Sequence, residues 1–119
     1  MTNAYEDVLF SAVEIGSLAQ LSFGAWARST LLGGFYELLD HTNDYALNPT
    51  WWLGVLLKTH VLVGNETVRT FAVTSNVPTL QAFVFKVGEK NVALMANLDT
   101  EAVEVTVELG GDKAAPRTE

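Results

Sequence analysis

The hydrophobic period of this chain changes once, near Gly64, and that change constrains the fold more than any other feature. Before it, apolar residues recur at three- and four-residue intervals; after it, they alternate. Val103, Val105, Val107 and Leu109 alternate with Glu104, Thr106 and Glu108, the pattern of a strand with one wet face. Residues 67–75, 79–87, 91–98 and 102–109 read as four strands of an antiparallel sheet. Gly88-Glu89-Lys90 joins the second to the third as a hairpin, and Asp99-Thr100-Glu101 joins the third to the fourth. Glu101, Glu104 and Glu108 then form a solvated strand face.

The first half reads as helix, strand, helix. Over residues 5–20, Val8, Ala12, Ile15 and Ala19 recur at helical spacing, and Glu6 and Asp7 suit the positive end of the helix dipole. Ser22 to Gly24 break the pattern, and residues 25–32 read as a short strand ended by Gly33-Gly34. A loop over 35–47 leads to Asn48, a good N-cap, and to Pro49, which suits the first helical position. The second helix is expected to reach about Leu62, with Trp52, Val55, Leu56 and Thr59 on one face and Gly64-Asn65 as its stop. The fold class is α+β. Residues 1–63 form one part and 64–109 an all-β part, while 110–119 read as a disordered tail. No Pro- or Gly-rich linker separates the two parts, so they are expected to pack together.

Composition narrows the function. Hydrophobic residues are 49% and charged residues 18% of 119, which is a folding composition. Seven basic against fourteen acidic residues give a net charge of −7. A nucleic-acid surface needs clustered Lys and Arg, so no nucleic-acid partner is expected. An acidic polysaccharide is repelled by the chain as a whole, though not by a local basic patch. The absence of cysteine excludes a disulfide scaffold and a thiolate metal site, and leaves the redox compartment open. The acidic N-terminus lacks the basic region of a signal peptide, and no apolar run reaches the ~20 residues of a membrane span. Asn65-Glu66-Thr67 fits the glycosylation sequon.

Few side chains suggest chemistry on their own. His41 and His60 lie on different elements, so neither a metal site nor a cofactor is expected, and His60 suits a helix C-terminus. Helical spacing puts at least one of Trp51 and Trp52 in the core, Trp52 by preference. Trp51 then remains as an exposed contact surface or a sugar-stacking platform, and Trp26 packs inside. Arg28, in the strand, either orients a neighbouring carboxylate or reaches solvent or a local Glu. Gly33 and Gly34 serve as turn residues or let a ligand approach the backbone, and Tyr36 packs at a surface or offers its hydroxyl to a ligand.

Four segments carry a resemblance. They are Val13-Glu-Ile-Gly16, Arg28-Ser-Thr-Leu-Leu-Gly-Gly-Phe-Tyr-Glu-Leu-Leu-Asp40, Asn48-Pro-Thr-Trp-Trp52 and Val92-Ala-Leu-Met-Ala-Asn-Leu-Asp99. In order and spacing, over roughly residues 9–109, they resemble the heparanase-like glycoside hydrolases of family 79, which are endo- and exo-β-glucuronidases. The resemblance implies the end of a (β/α)8 barrel followed by a four-stranded part of an incomplete β-sandwich. Residues 5–20 match the seventh barrel helix, 25–32 the eighth strand, 49–62 the eighth helix and 67–109 the sandwich. It also implies that Gly34 and Tyr36 touch the sugar, with the Tyr hydroxyl on the glucuronate carboxylate. Phe35 departs from the Asn common in the family at that place, and removes a polar side chain beside the sugar.

The chemistry of a retaining glycosidase needs two carboxylates about 5 Å apart. In the family both are glutamates that precede the stretch matched here, and neither role falls to Glu6, Glu14 or Glu37, so no catalytic residue is assigned. The expectation is a C-terminal fragment of a hydrolase acting on β-glucuronide or heparan-sulfate-type glycans, inactive alone. Its parent would be secreted, extracellular or lysosomal and glycosylated at Asn65. An incomplete barrel would leave apolar helix faces and a strand edge at 25–32 open to self-association. The alternative is a non-catalytic glycan-binding or protein-interaction module.

Overall fold

The structure is a computed structural model and describes residues 5–28, 30–34, 36–71, 73–108 and the backbone of 117–118. It is a mixed α+β chain. Helix α1 spans Tyr5–Gln20 and α2 spans Pro49–His60; between them β1 (Leu39–Asp40) and β2 (Ala46–Leu47) form a small hairpin. Strands β3 (Val68–Phe71), β4 (Leu80–Val87) and β5 (Lys90–Asn97) form an antiparallel sheet in the order β3-β4-β5. Strand β6 (Thr106–Val107) pairs with β7 (Arg117–Thr118).

The β4–β5 hairpin forms where the alternation places it. Gly88 takes φ +56°, which the first position of a two-residue turn between right-twisted strands requires, and Val87 pairs with Lys90 across it. One face of the sheet carries Phe83, Phe85 and Val87, all buried, and Val61 from the end of α2 joins them. Val13 and Ala19 of α1 and Leu57 of α2 pack against this cluster, so the two halves share one apolar core. Gly16 makes the approach of α1 possible: a Cβ there would lie 2.3 Å from the Phe83 ring.

Several expectations are corrected. Residues 25–32 form no strand among the described residues. A strand needs a neighbour to receive its backbone groups along its length, and among the described residues of this segment only Leu31 has one, its carbonyl accepting the Leu39 N–H of β1 at 3.1 Å. Side chains tether it to α1 instead. The sheet has three strands rather than four, because within 102–108 only Thr106–Val107 is a strand and its partner is β7. The rest of the tail expected over 110–119 lies outside the described residues, and so does Phe35.

Helix α2 turns the opposite stripe inward. Leu53 is buried and Leu57 half-buried, four residues apart, while Trp52 is 54% exposed and Val55 and Leu56 are also exposed. The helix is apolar nearly all round, so periodicity alone leaves two candidate faces; packing of Leu57 on the buried cluster and of α2 against α1 selects between them. Asn48 occupies the N-cap position with Pro49 after it, but its side chain makes no cap hydrogen bond. No helix among the described residues is long and apolar enough to cross a membrane.

Candidate functional site

The most structured polar region lies where α1, the segment 26–41 and the first turn of α2 meet. Asp7 and Ser11 are one helical turn apart on α1 and both are buried. Arg28 reaches into this face: its guanidinium pairs with Asp7 and donates from Nη1 to Ser11 Oγ at 3.0 Å. Thr50 Oγ1 of α2 donates to the same Asp7 oxygen at 2.7 Å. Arg28 also donates from Nε to the Tyr36 carbonyl at 2.9 Å, and its Cζ lies 5.3 Å from the Tyr36 ring centroid. One guanidinium therefore joins the first helix to the loop that carries Tyr36. Trp26 Nε1 donates to Glu14 at 2.9 Å and adds a second tether.

The loop has its own clamp. Glu37 is only 2% exposed, and its carboxylate accepts the Gly33 N–H at 2.7 Å and the His41 N–H at 3.3 Å. The His41 ring Nδ1 sits 2.7 Å from Oε2 of the same carboxylate. Asn48 Nδ2 donates to the Glu37 carbonyl at 2.8 Å, which is where the side chain expected to cap α2 is used. Burial pushes the Glu37 carboxyl up, but the Gly33 N–H, the His41 ring and the His41 N–H outweigh it and hold the group below its ordinary 4.5. The Thr42 hydroxyl and N–H likewise hold Asp40 below its ordinary 3.8, against an opposing push from burial.

Tyr36 is half exposed, with its ring stacked on Arg28, and can offer the phenol as a hydrogen-bond donor or acceptor. Gly33 takes φ +76° and fills the turn role. Gly34 faces Thr30, whose Oγ1 is buried without a hydrogen-bond partner and would lie 2.8 Å from a Cβ at Gly34. The structure therefore places Gly34 and Tyr36 on one loop, with Gly34 packed against Thr30 and Tyr36 facing outward. Asn65 sits apart, exposed in the turn between α2 and β3. Trp51 is half-buried, and His60 lies in the last turn of α2.

Sequence reasoning left Asp7, Ser11, Thr50 and the Glu37–His41 pair without a site role. Asp7/Ser11 and Glu37/His41 each share an i,i+4 spacing, which is the signal that was present. Arg28 was expected to meet solvent, a Glu or a carboxylate; its partner is the carboxylate of Asp7. Compared with family models, curated proteins and solved structures, the chain matches none.

Proposed function

We propose that this chain is the C-terminal part of a heparanase-like glycoside hydrolase of family 79, acting on β-glucuronide-containing glycans. Its share of the work is to present Tyr36 to the sugar; the catalytic carboxylates belong to sequence that precedes it. The observation that carries the reading is the loop itself. Arg28 holds Tyr36 through its carbonyl and its ring, Glu37 closes the turn, and the phenol is left half exposed. Binding side chains on loops are held in place by supporting contacts of this kind.

In this reading α1 and α2 are the last two helices of a (β/α)8 barrel. Residues 25–32 become a strand only beside the neighbouring barrel strands, and 102–109 completes a sandwich sheet. The parent is secreted or lysosomal, with Asn65 available for glycosylation. The large exposed side chains Phe10, Phe23, Trp52, Leu56 and Leu62 are consistent with surfaces that further chain would cover.

The test is the mass of the native protein detected with an antibody to residues 64–109. The expected result is a mass well above the 12.9 kDa of this chain. In that longer enzyme, Tyr36→Phe should lower kcat/KM for glucuronides roughly ten- to a hundredfold, the value of a hydrogen bond to a charged group. A native mass of 12.9 kDa would overturn the proposal. It would leave the second reading, a non-catalytic glycan-binding or interaction module, which the same exposed apolar side chains favour.

A further inference from the structure

We propose that the outer edge of β5 is an interface for a second copy of this chain. The inference does not rest on the glucuronidase reading. In the order β3-β4-β5, β5 is an outer strand. The Leu98 N–H reaches the Thr79 carbonyl at 2.8 Å and extends the β4–β5 ladder, so even-numbered positions of β5 turn their backbone groups toward β4. Those of Asn91, Ala93, Met95 and Asn97 turn outward. Among the described residues no backbone hydrogen bond joins them to another strand.

An edge of this kind is normally blunted by proline, a bulge, a charge or a covering element. From Asn91 to Leu98 the sequence holds no proline, glycine or charged residue. Ala93 and Met95 are exposed there. Residues 103–108 line a groove of about 840 Å³ together with the outer sheet face, and among the described residues none of them pairs with β5.

The occupant is a second copy because β5 is complementary to itself. An antiparallel two-fold through Leu94 sets Ala93 against Met95 of the second copy and Val92 against Ala96 of the second copy, a small side chain opposite a larger one each time. Asn91 meets Asn97 of the second copy. In this register the outward backbone groups of all four odd positions face one another. Lys90 is the sole charge on β5 and meets Leu98 of the second copy, while Glu89 in the turn meets Asp99 of the second copy, a like-charge contact at each end of the seam. The result is a continuous six-stranded sheet with both α1 helices on one face. A net charge of −7 on each copy opposes the pairing at long range, so added salt strengthens it.

Light scattering on the purified chain, from low micromolar to submillimolar concentration, should show the mass rise from 12.9 kDa toward twice that value, and rise earlier with salt. Ala93→Pro removes an outward N–H and no β4 bond, and should weaken association by about tenfold or more. Should that variant fold poorly, cysteine pairing tests the register directly, since the chain has no native cysteine. Ala93→Cys mixed with Met95→Cys should cross-link under mild oxidation severalfold more than either variant alone. A chain monomeric at every concentration overturns the proposal. So does association indifferent to Ala93→Pro in a folded variant, or cross-linking no better in the mixture than in the single variants.

Discussion

Arg28 is held from three sides, and its environment makes the sharpest statements at the scale of single residues. Its side chain and that of Asp7 are both largely removed from water, so neither charge tolerates loss of the other. Arg28→Met should destabilise the chain by about 3–5 kcal/mol, the usual consequence of an uncompensated buried charge. The double variant with Asp7→Asn should recover a substantial part of that loss. Denaturant unfolding of the four members of the cycle measures the coupling, and strictly additive effects would show that the pair is not interacting. Glu37 makes a pH statement. Its folded-state value lies below the ordinary 4.5, so its contribution to the loop is complete above 4.5 and is lost as pH falls through the lower, folded-state value. The Gly33 and His41 amide resonances should therefore share one acid transition centred below pH 4.5. Glu37→Gln should abolish that coupled transition. Independent movement of the two residues would show that Glu37 does not clamp them.

Helices α1 and α2 each make a contact that single substitutions can read. Gly16 lies under the Phe83 ring with no room for a methyl group, so Gly16→Ala should destabilise by about 1–3 kcal/mol despite the better helix propensity of alanine. Gly54, inside α2, faces open space, and Gly54→Ala should stabilise by about 0.5–1 kcal/mol. Thermal unfolding of the two variants should shift in opposite directions; shifts of the same sign would contradict the packing of α1 on the sheet. The orientation of α2 has its own check. Leu53→Ala should cost about 2–5 kcal/mol, whereas Leu56→Ala on the outer stripe should stay within about 0.5 kcal/mol. These elements also show what was legible in advance. The bounds of α1 and the β4–β5 hairpin follow from period, first-turn acids and a turn glycine, all of which act within a few residues. The inward stripe of α2 was not legible, because Trp52, Val55 and Leu56 are as apolar as Leu53 and Leu57 and the choice depends on what lies opposite.

The whole molecule exposes more surface than a closed domain of its size. Its accessible surface is 9022 Å², against about 6,300 Å² for a compact monomer of this mass. Most of the exposed large apolar side chains lie on α1, the segment after it and α2, with others such as Phe71 and Met95 on the sheet. A dye selective for apolar surface should accordingly bind the dilute chain and be displaced as the chain associates. A dilute chain that binds no dye would show these side chains to be covered in solution. What the sequence alone determined is the local layer: an α+β chain, the change of period near Gly64, two of the turns and the loop that bears Gly34 and Tyr36. Each depends on residues near in sequence, whose preferences sum without reference to the rest of the fold. Tertiary structure decided the remainder. Residues 25–32 have strand composition but pair as a strand with nothing among the described residues, and Arg28 spends its donors on Asp7, Ser11 and the Tyr36 carbonyl instead. Asn48 leaves the cap for Glu37, and Thr106–Val107 leaves the sheet for β7. In every such case a backbone or side-chain polar group had several local options, and the partner it found lay eight or more residues away, beyond the reach of a helix or strand period.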